Sequence, residues 1–165
     1  MEKKLFTLSR SLTNNTKLIE FQFKIIHRVY ASDSYVSNFD NTVNKVCILC
    51  HVDNNIPHLF VDCIKVDQFW KNMKIWLTTV EGKATPLKTI DIIFGMMRST
   101  QKSINFCILH AKWYIHLNKQ VDNHIHFANF LLYLKNCLVI EKANCSQPKL
   151  ISSFNATFQK VLNHM

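Results

Sequence analysis

The spacing of apolar side chains along the 165-residue chain is helical almost throughout. Between Thr16 and Tyr30, Leu18, Phe21, Ile25 and Val29 fall on one row and Ile19, Phe23, Ile26 and Tyr30 on the next, leaving Lys17, Glu20, Lys24 and Arg28 as a narrow polar stripe. The pattern predicts a well-buried helix, with Glu20 and Lys24 in the favourable i,i+4 order. Val66 to Val80 repeats it through Phe69, Met73, Trp76 and Val80, and Gly82 and Pro86 supply the stop. Ser103 to Lys119 is apolar nearly all round, as a central helix would be, with Ile104, Cys107, Ile108, Ala111 and Ile115 on one side. Ile125 to Lys142 and Ile151 to Leu162 complete the series, and Pro148 separates them. Leu87 to Met97 fits a short helix or a strand equally well, and Ala31 to Asn44, rich in Ser, Asp and Asn, reads as a loop.

These elements predict a mainly α fold, a helical domain of roughly five to six helices with a small knuckle of cysteine and histidine inserted after the first. The expected organisation is an N-terminal tail over 1–15, a helix plus knuckle over 16–82, and a basic helical region over 83–165 packed on it. A hydrophobic content of 48% is ample for a core, while two glycines and three prolines argue against turn-dense β architectures and glycine-rich phosphate loops. No uncharged apolar run approaches the about eighteen residues of a membrane span. The opening stretch, Met1 to Arg10, has no long apolar core or small-residue cleavage site of a secretory leader. The expectation is a soluble intracellular protein with no membrane partner, in a reducing compartment. There, six cysteines are metal ligands and core thiols rather than disulfides.

The densest candidate chemistry lies in Cys47 to Cys63, where a C-x-x-C pair is followed after seven residues by His58 and after four more by Cys63. Three sulfurs and one imidazole make a closed tetrahedral shell for one structural zinc ion, the type that shapes a fold rather than activating water. His51 is the rival nitrogen ligand; beside Cys50 it would bind from a cramped position, so His58 is preferred. Asp62 is placed either to accept the second imidazole proton of His58 or to sit solvated at a helix start. Cys107 and Cys137 fall on apolar faces and read as core thiols.

Net charge is +9, which points to an anionic partner. Residues 1–82 hold ten basic against eight acidic side chains, and residues 83–165 hold ten against three, so most of the excess follows the knuckle. Arg98, Lys102, Lys112, Lys119, Lys135 and Lys142 are the candidates for a phosphate-facing surface. Few arginines are available for bidentate base contacts, so RNA or DNA would be held with little sequence specificity. Trp70, Trp76 and Trp113 lie on strongly apolar helices and read as core rather than as stacking platforms. Cys107 and His110 are the one close nucleophile–base pair outside the knuckle, in an apolar setting that suits a buried thiol better. No paired carboxylates, serine elbow or phosphate loop appears, so a non-catalytic protein is expected.

The run Phe21-Gln22-Phe23-Lys24-Ile25-Ile26-His27-Arg28-Val29-Tyr30, then Cys47-Ile48-Leu49-Cys50, Pro57-His58-Leu59-Phe60-Val61-Asp62-Cys63 and Phe69-Trp70 resembles the C-terminal zinc-binding region of LINE-type (non-LTR) retrotransposon reverse transcriptases. The strong part covers Leu18 to Leu77, and Ile108 to Ile115 is similar to a later helix of those polyproteins. The resemblance implies that Cys47, Cys50, His58 and Cys63 bind zinc and that the module helps a polymerase engage RNA template or target DNA. The chain contains no adjacent pair of aspartates, so the polymerase motif of that family is missing, and it is too short to carry an endonuclease as well. Two alternatives stand beside this reading: a zinc-stabilised helical module for protein interaction or structure, and an inert transposon remnant.

Overall fold

The computed structural model describes residues 2–96, 101–119 and 125–165. The fold is mainly α, with no β-strand among the described residues and eight α-helices, six of them eleven residues or longer. None of these helices is long and apolar enough to cross a membrane.

Residues 1–15, expected as a tail, contain helix α1 (Glu2–Leu12), which packs on α2 (Thr16–Ile26) and on α6 (Lys102–Asn118). Leu12 is buried there, along with Ser9 and Thr13, and the Thr13 hydroxyl donates to the Glu141 carboxylate. Asn15 starts α2 by accepting the Lys17 N–H at 3.0 Å, the ordinary N-cap arrangement.

Helix α2 stops four residues short of the expected Tyr30. Val29 and Arg28 donate their N–H groups back to Lys24 O at 2.9 Å and Ile25 O at 3.1 Å, with Arg28 in the left-handed region at φ 58°. This is a Schellman ending, and its left-handed position, usually glycine, is here an arginine. The reversal turns Val29 outward and buries Tyr30, whose hydroxyl reaches His116 Nδ1 at 2.7 Å.

After the short α3 (Asp33–Val36), the chain carries the knuckle and then α4 (Ile64–Glu81), which ends at Gly82 with φ 67°. The ambiguous stretch after Pro86 is helical over α5 (Thr89–Phe94). Helix α6 is the central helix its all-round apolarity predicts: every residue from Ile104 to Lys112 is buried, among α1, α2, α7 (Phe127–Ala143) and α8 (Pro148–Leu162). Pro148 opens α8 at its first turn, where its missing N–H costs nothing. Aromatic contacts join the parts: Phe21 meets Phe60 at 5.7 Å and Trp113 at 5.1 Å, and Phe69 meets Phe130 at 5.2 Å.

Candidate metal centre

Cys47 and Cys50 sit in a tight reversal of the chain. Cys47 N–H donates to Val52 O and Asn54 N–H to Lys45 O, both at 2.8 Å, while His51 N–H closes the turn onto Cys47 O. His51 itself turns the backbone, at φ 56°, and its ring is exposed outside the cluster. His58 is the imidazole that faces the sulfurs.

His58 and Cys63 come together through an unusual helix end. Five residues apart on an α-helix they would point about 140° away from each other. Residues His58–Asp62 instead form a π turn, in which Cys63 N–H bonds to His58 O at 2.9 Å, and the wider turn brings both side chains to one side. Asn55 Oδ1 accepts the His58 N–H at 3.0 Å, and Trp70 Nε1 donates to Phe60 O at 2.7 Å, so both flanks of the turn are tied down. Asp62 is exposed and makes no hydrogen bond to His58.

The donor atoms of Cys47, Cys50, His58 and Cys63 all lie within 4.8 Å of one another, close enough to hold one metal ion. Cys63 Sγ is 3.9 Å from Cys47 Sγ and 3.8 Å from Cys50 Sγ. A tetrahedral ion with metal–sulfur bonds of about 2.3 Å requires sulfurs about 3.8 Å apart, so the spacing suits coordination. His58 Nε2 is buried without a hydrogen-bond partner, as an atom meant for a metal would be.

Burial pushes the Cys47 thiol up, but the neighbouring His58 imidazole and the Leu49 and Cys50 amides outweigh it and bring the group down to about 7. At Cys63 burial dominates, the neighbouring thiols Cys50 and Cys47 add to it, and the thiol is pushed up to about 12. Crowded thiols resist losing their protons together; a divalent cation at their centre reverses that preference.

The five candidate phosphate contacts among the described residues do not gather into one surface. Lys112 is buried, its amine donating to Gln22 Oε1 at 2.5 Å and to Ile93 O at 2.8 Å, and it is removed from the expected set. Its position between Ile108 and Ile115 on the central helix is the signal that charge alone concealed. Lys102 and Lys119 lie at opposite ends of α6, about 25 Å apart at 1.5 Å per residue. Lys119 is half-buried, its amine 5.2 Å from the centre of the Tyr30 ring. Lys135 and Lys142 are exposed on α7, and Arg98 lies outside the described residues.

Trp70 and Trp76 are buried, and Trp113 is half-buried against Phe21. Cys107 is fully buried, which pushes its thiol up, and His110 is buried with Nδ1 at 3.0 Å from the Tyr133 hydroxyl. Desolvation holds His110 down at about 3, so it is neutral. Neither side chain reaches solvent as a nucleophile and base would. Cys137 is half-buried rather than fully inside. Sequence reasoning missed the lysine–glutamine pair in the core and the groove beside Arg28 described below. Compared with family models, curated proteins and solved structures, the chain matches none.

Proposed function

We propose that the chain is a non-catalytic nucleic-acid-binding module shaped by one structural zinc ion on Cys47, Cys50, His58 and Cys63. The observation that carries the metal part is that the donor atoms of all four residues lie within 4.8 Å of one another, with Cys63 Sγ at tetrahedral spacing from both other sulfurs. Zinc is favoured because a shell of three thiolates and one imidazole is soft, closed and tetrahedral. The similarity of Leu18 to Leu77 to the zinc-binding region of LINE-type reverse transcriptases supports an origin in such a polyprotein.

The nucleic-acid part rests on charge that the protein leaves uncompensated. The ion pairs among the described residues, Lys24–Glu20, Lys45–Asp53 and Lys71–Asp67, all precede residue 83. Lys102, Lys135, Lys142, Lys149 and Lys160 are exposed and join no ion pair among the described residues. The knuckle is a poor match for phosphate, because three thiolates around a divalent ion leave it net negative. Phosphate contacts therefore fall chiefly on α6 to α8, spread over several faces, as suits binding without sequence preference.

Native mass spectrometry with and without chelator, followed by titration of single-stranded RNA and DNA across a salt series, tests both parts. One zinc per chain and affinity falling log-linearly with salt are expected. A stable metal-free protein would remove the zinc reading, and binding indifferent to salt would remove the phosphate reading. A protein-interaction module is the second reading, favoured by the exposed Leu132, Val139 and Ile140 on the outer side of α7.

A further inference from the structure

A groove of about 660 Å³ opens between the end of α2, α3, residues 55–57 and α5. Its size is that of small-ligand clefts, roughly 300–1,000 Å³. Ile25, Ile56, Pro57, Ile90, Ile93 and Phe94 make its floor apolar, and Arg28 is the one formally charged side chain among the described residues that lines it.

The polar groups around the rim divide into two sets. Ser32 accepts the Tyr35 N–H, Asn38 donates to Ser34 O and Tyr35 O, and Asn55 accepts the His58 N–H, so these three hold the walls in place. The Arg28 guanidinium and the hydroxyls of Ser34, Tyr35 and Thr89 have no hydrogen-bond partner among the described residues. Through Asn55, one wall is fixed to a ligand of the metal centre.

Arg28 stands out for its backbone as well. It occupies the left-handed position of the Schellman ending at φ 58°, where glycine carries no strain and an arginine does. The Schellman hydrogen bonds hold that backbone, and the exposed guanidinium beyond it joins no hydrogen bond or ion pair among the described residues.

We infer that this groove binds one nucleotide, with its phosphate on the Arg28 guanidinium and its base on the apolar floor. The inference rests on the nucleic-acid reading above and deepens it. A guanidinium matches phosphate with two parallel hydrogen bonds. The free hydroxyls of Ser34, Tyr35 and Thr89 suit a sugar and a base edge; an alkyl chain would leave them unpaired. The same chemistry fits a free mononucleotide or one unstacked nucleotide of a single strand.

The test uses the zinc-loaded full chain, with AMP by calorimetry, a short labelled single-stranded RNA by anisotropy, and decanoate as an aliphatic anion. Arg28→Gly is the informative variant, because glycine suits the helix ending and keeps or raises the melting temperature while removing the guanidinium. AMP binding that weakens about tenfold or more in Arg28→Gly, and is partly kept in Arg28→Lys, supports the inference. RNA binding weakened in parallel assigns the ligand to a strand; RNA binding unchanged assigns it to the free nucleotide. Decanoate binding with no AMP binding overturns the inference. Loss of AMP binding in the wild type, with RNA affinity indifferent to Arg28→Gly, overturns it and leaves the nucleic-acid reading standing; no binding of AMP or any strand overturns both.

Discussion

Residues 31–63 and helix α6 both surround buried side chains, but they are held by different means. In α6 every residue from Ile104 to Lys112 is buried, enclosed by α1, α2, α7 and α8. In 31–63 the buried side chains are few, among them Cys47, Ile56, His58, Phe60 and Cys63, while Phe39 is 76% exposed and Ile48 81%. Its regular structure is one short helix, one π turn and an isolated pairing of Val46 with Asp53. A segment that hides so little apolar surface cannot offset the entropy of ordering its backbone by burial alone. A metal ion on Cys47, Cys50, His58 and Cys63 would supply there what side-chain packing supplies around α6.

Removing such a metal is therefore the largest break expected. Structural zinc sites contribute about 10–16 kcal/mol of apparent binding energy in peptides that fold only with metal. Chelation, or Cys63→Ser, is expected to release 31–63 while leaving α6 folded. Amide hydrogen exchange checks it: Cys47, Asn54 and Cys63, whose N–H groups bond within the segment, lose protection, and the amides of α6 keep theirs. Simultaneous loss in α6 would mean that the two regions form one cooperative unit.

Phe106→Ala attacks the other side of the comparison. The ring is fully buried, 4.9 Å from Phe158 and 4.2 Å from His110 by ring centres. Its truncation costs about 3–5 kcal/mol on the usual scale for buried phenylalanine. Denaturant melts should show the loss, with zinc stoichiometry unchanged at native conditions. A change in bound zinc would show the two regions to be coupled through the core.

The two regions were also unequally legible in the sequence. Helices α2, α4, α6, α7 and α8 declared themselves because apolar side chains at helical spacing have little else to do than pack. The four clustered side chains were legible because few arrangements other than metal binding bring that set together. Helix α1 was hidden by serines, threonines and lysines around Leu5, Leu8 and Leu12, although those three share a helical row. The end of α2 was placed late because the sequence rule looks for glycine where the chain uses Arg28. Charge alone does not separate Lys112, which the central helix buries, from Lys102, Lys135 and Lys142, which are exposed.

Lys112 offers the smallest and sharpest test, since it puts a titratable group inside the packed region rather than beside the metal. Desolvation by burial brings its amine down to about 7 from the ordinary 10.5. The unfolded chain therefore holds this proton up to about 10.5 and the folded chain only to about 7. Between those values the unfolded state binds more protons, so stability rises with pH across that window, by an amount on the order of a few kcal/mol. Neutral Lys112 has two N–H donors, matched by Gln22 Oε1 and Ile93 O. Lys112→Met keeps the apolar stem and removes the titration. Below pH 7 the variant is expected to be the more stable, because it buries no charge; toward pH 10.5 the wild type overtakes it, because Gln22 Oε1 then loses a donor only in the variant. Chemical denaturation of both proteins at a series of pH values measures the difference directly and cancels the titration of every group the two share. A difference independent of pH would mean that Lys112 reaches water and carries its charge when folded, placing this helix nearer the surface than the packing around it allows.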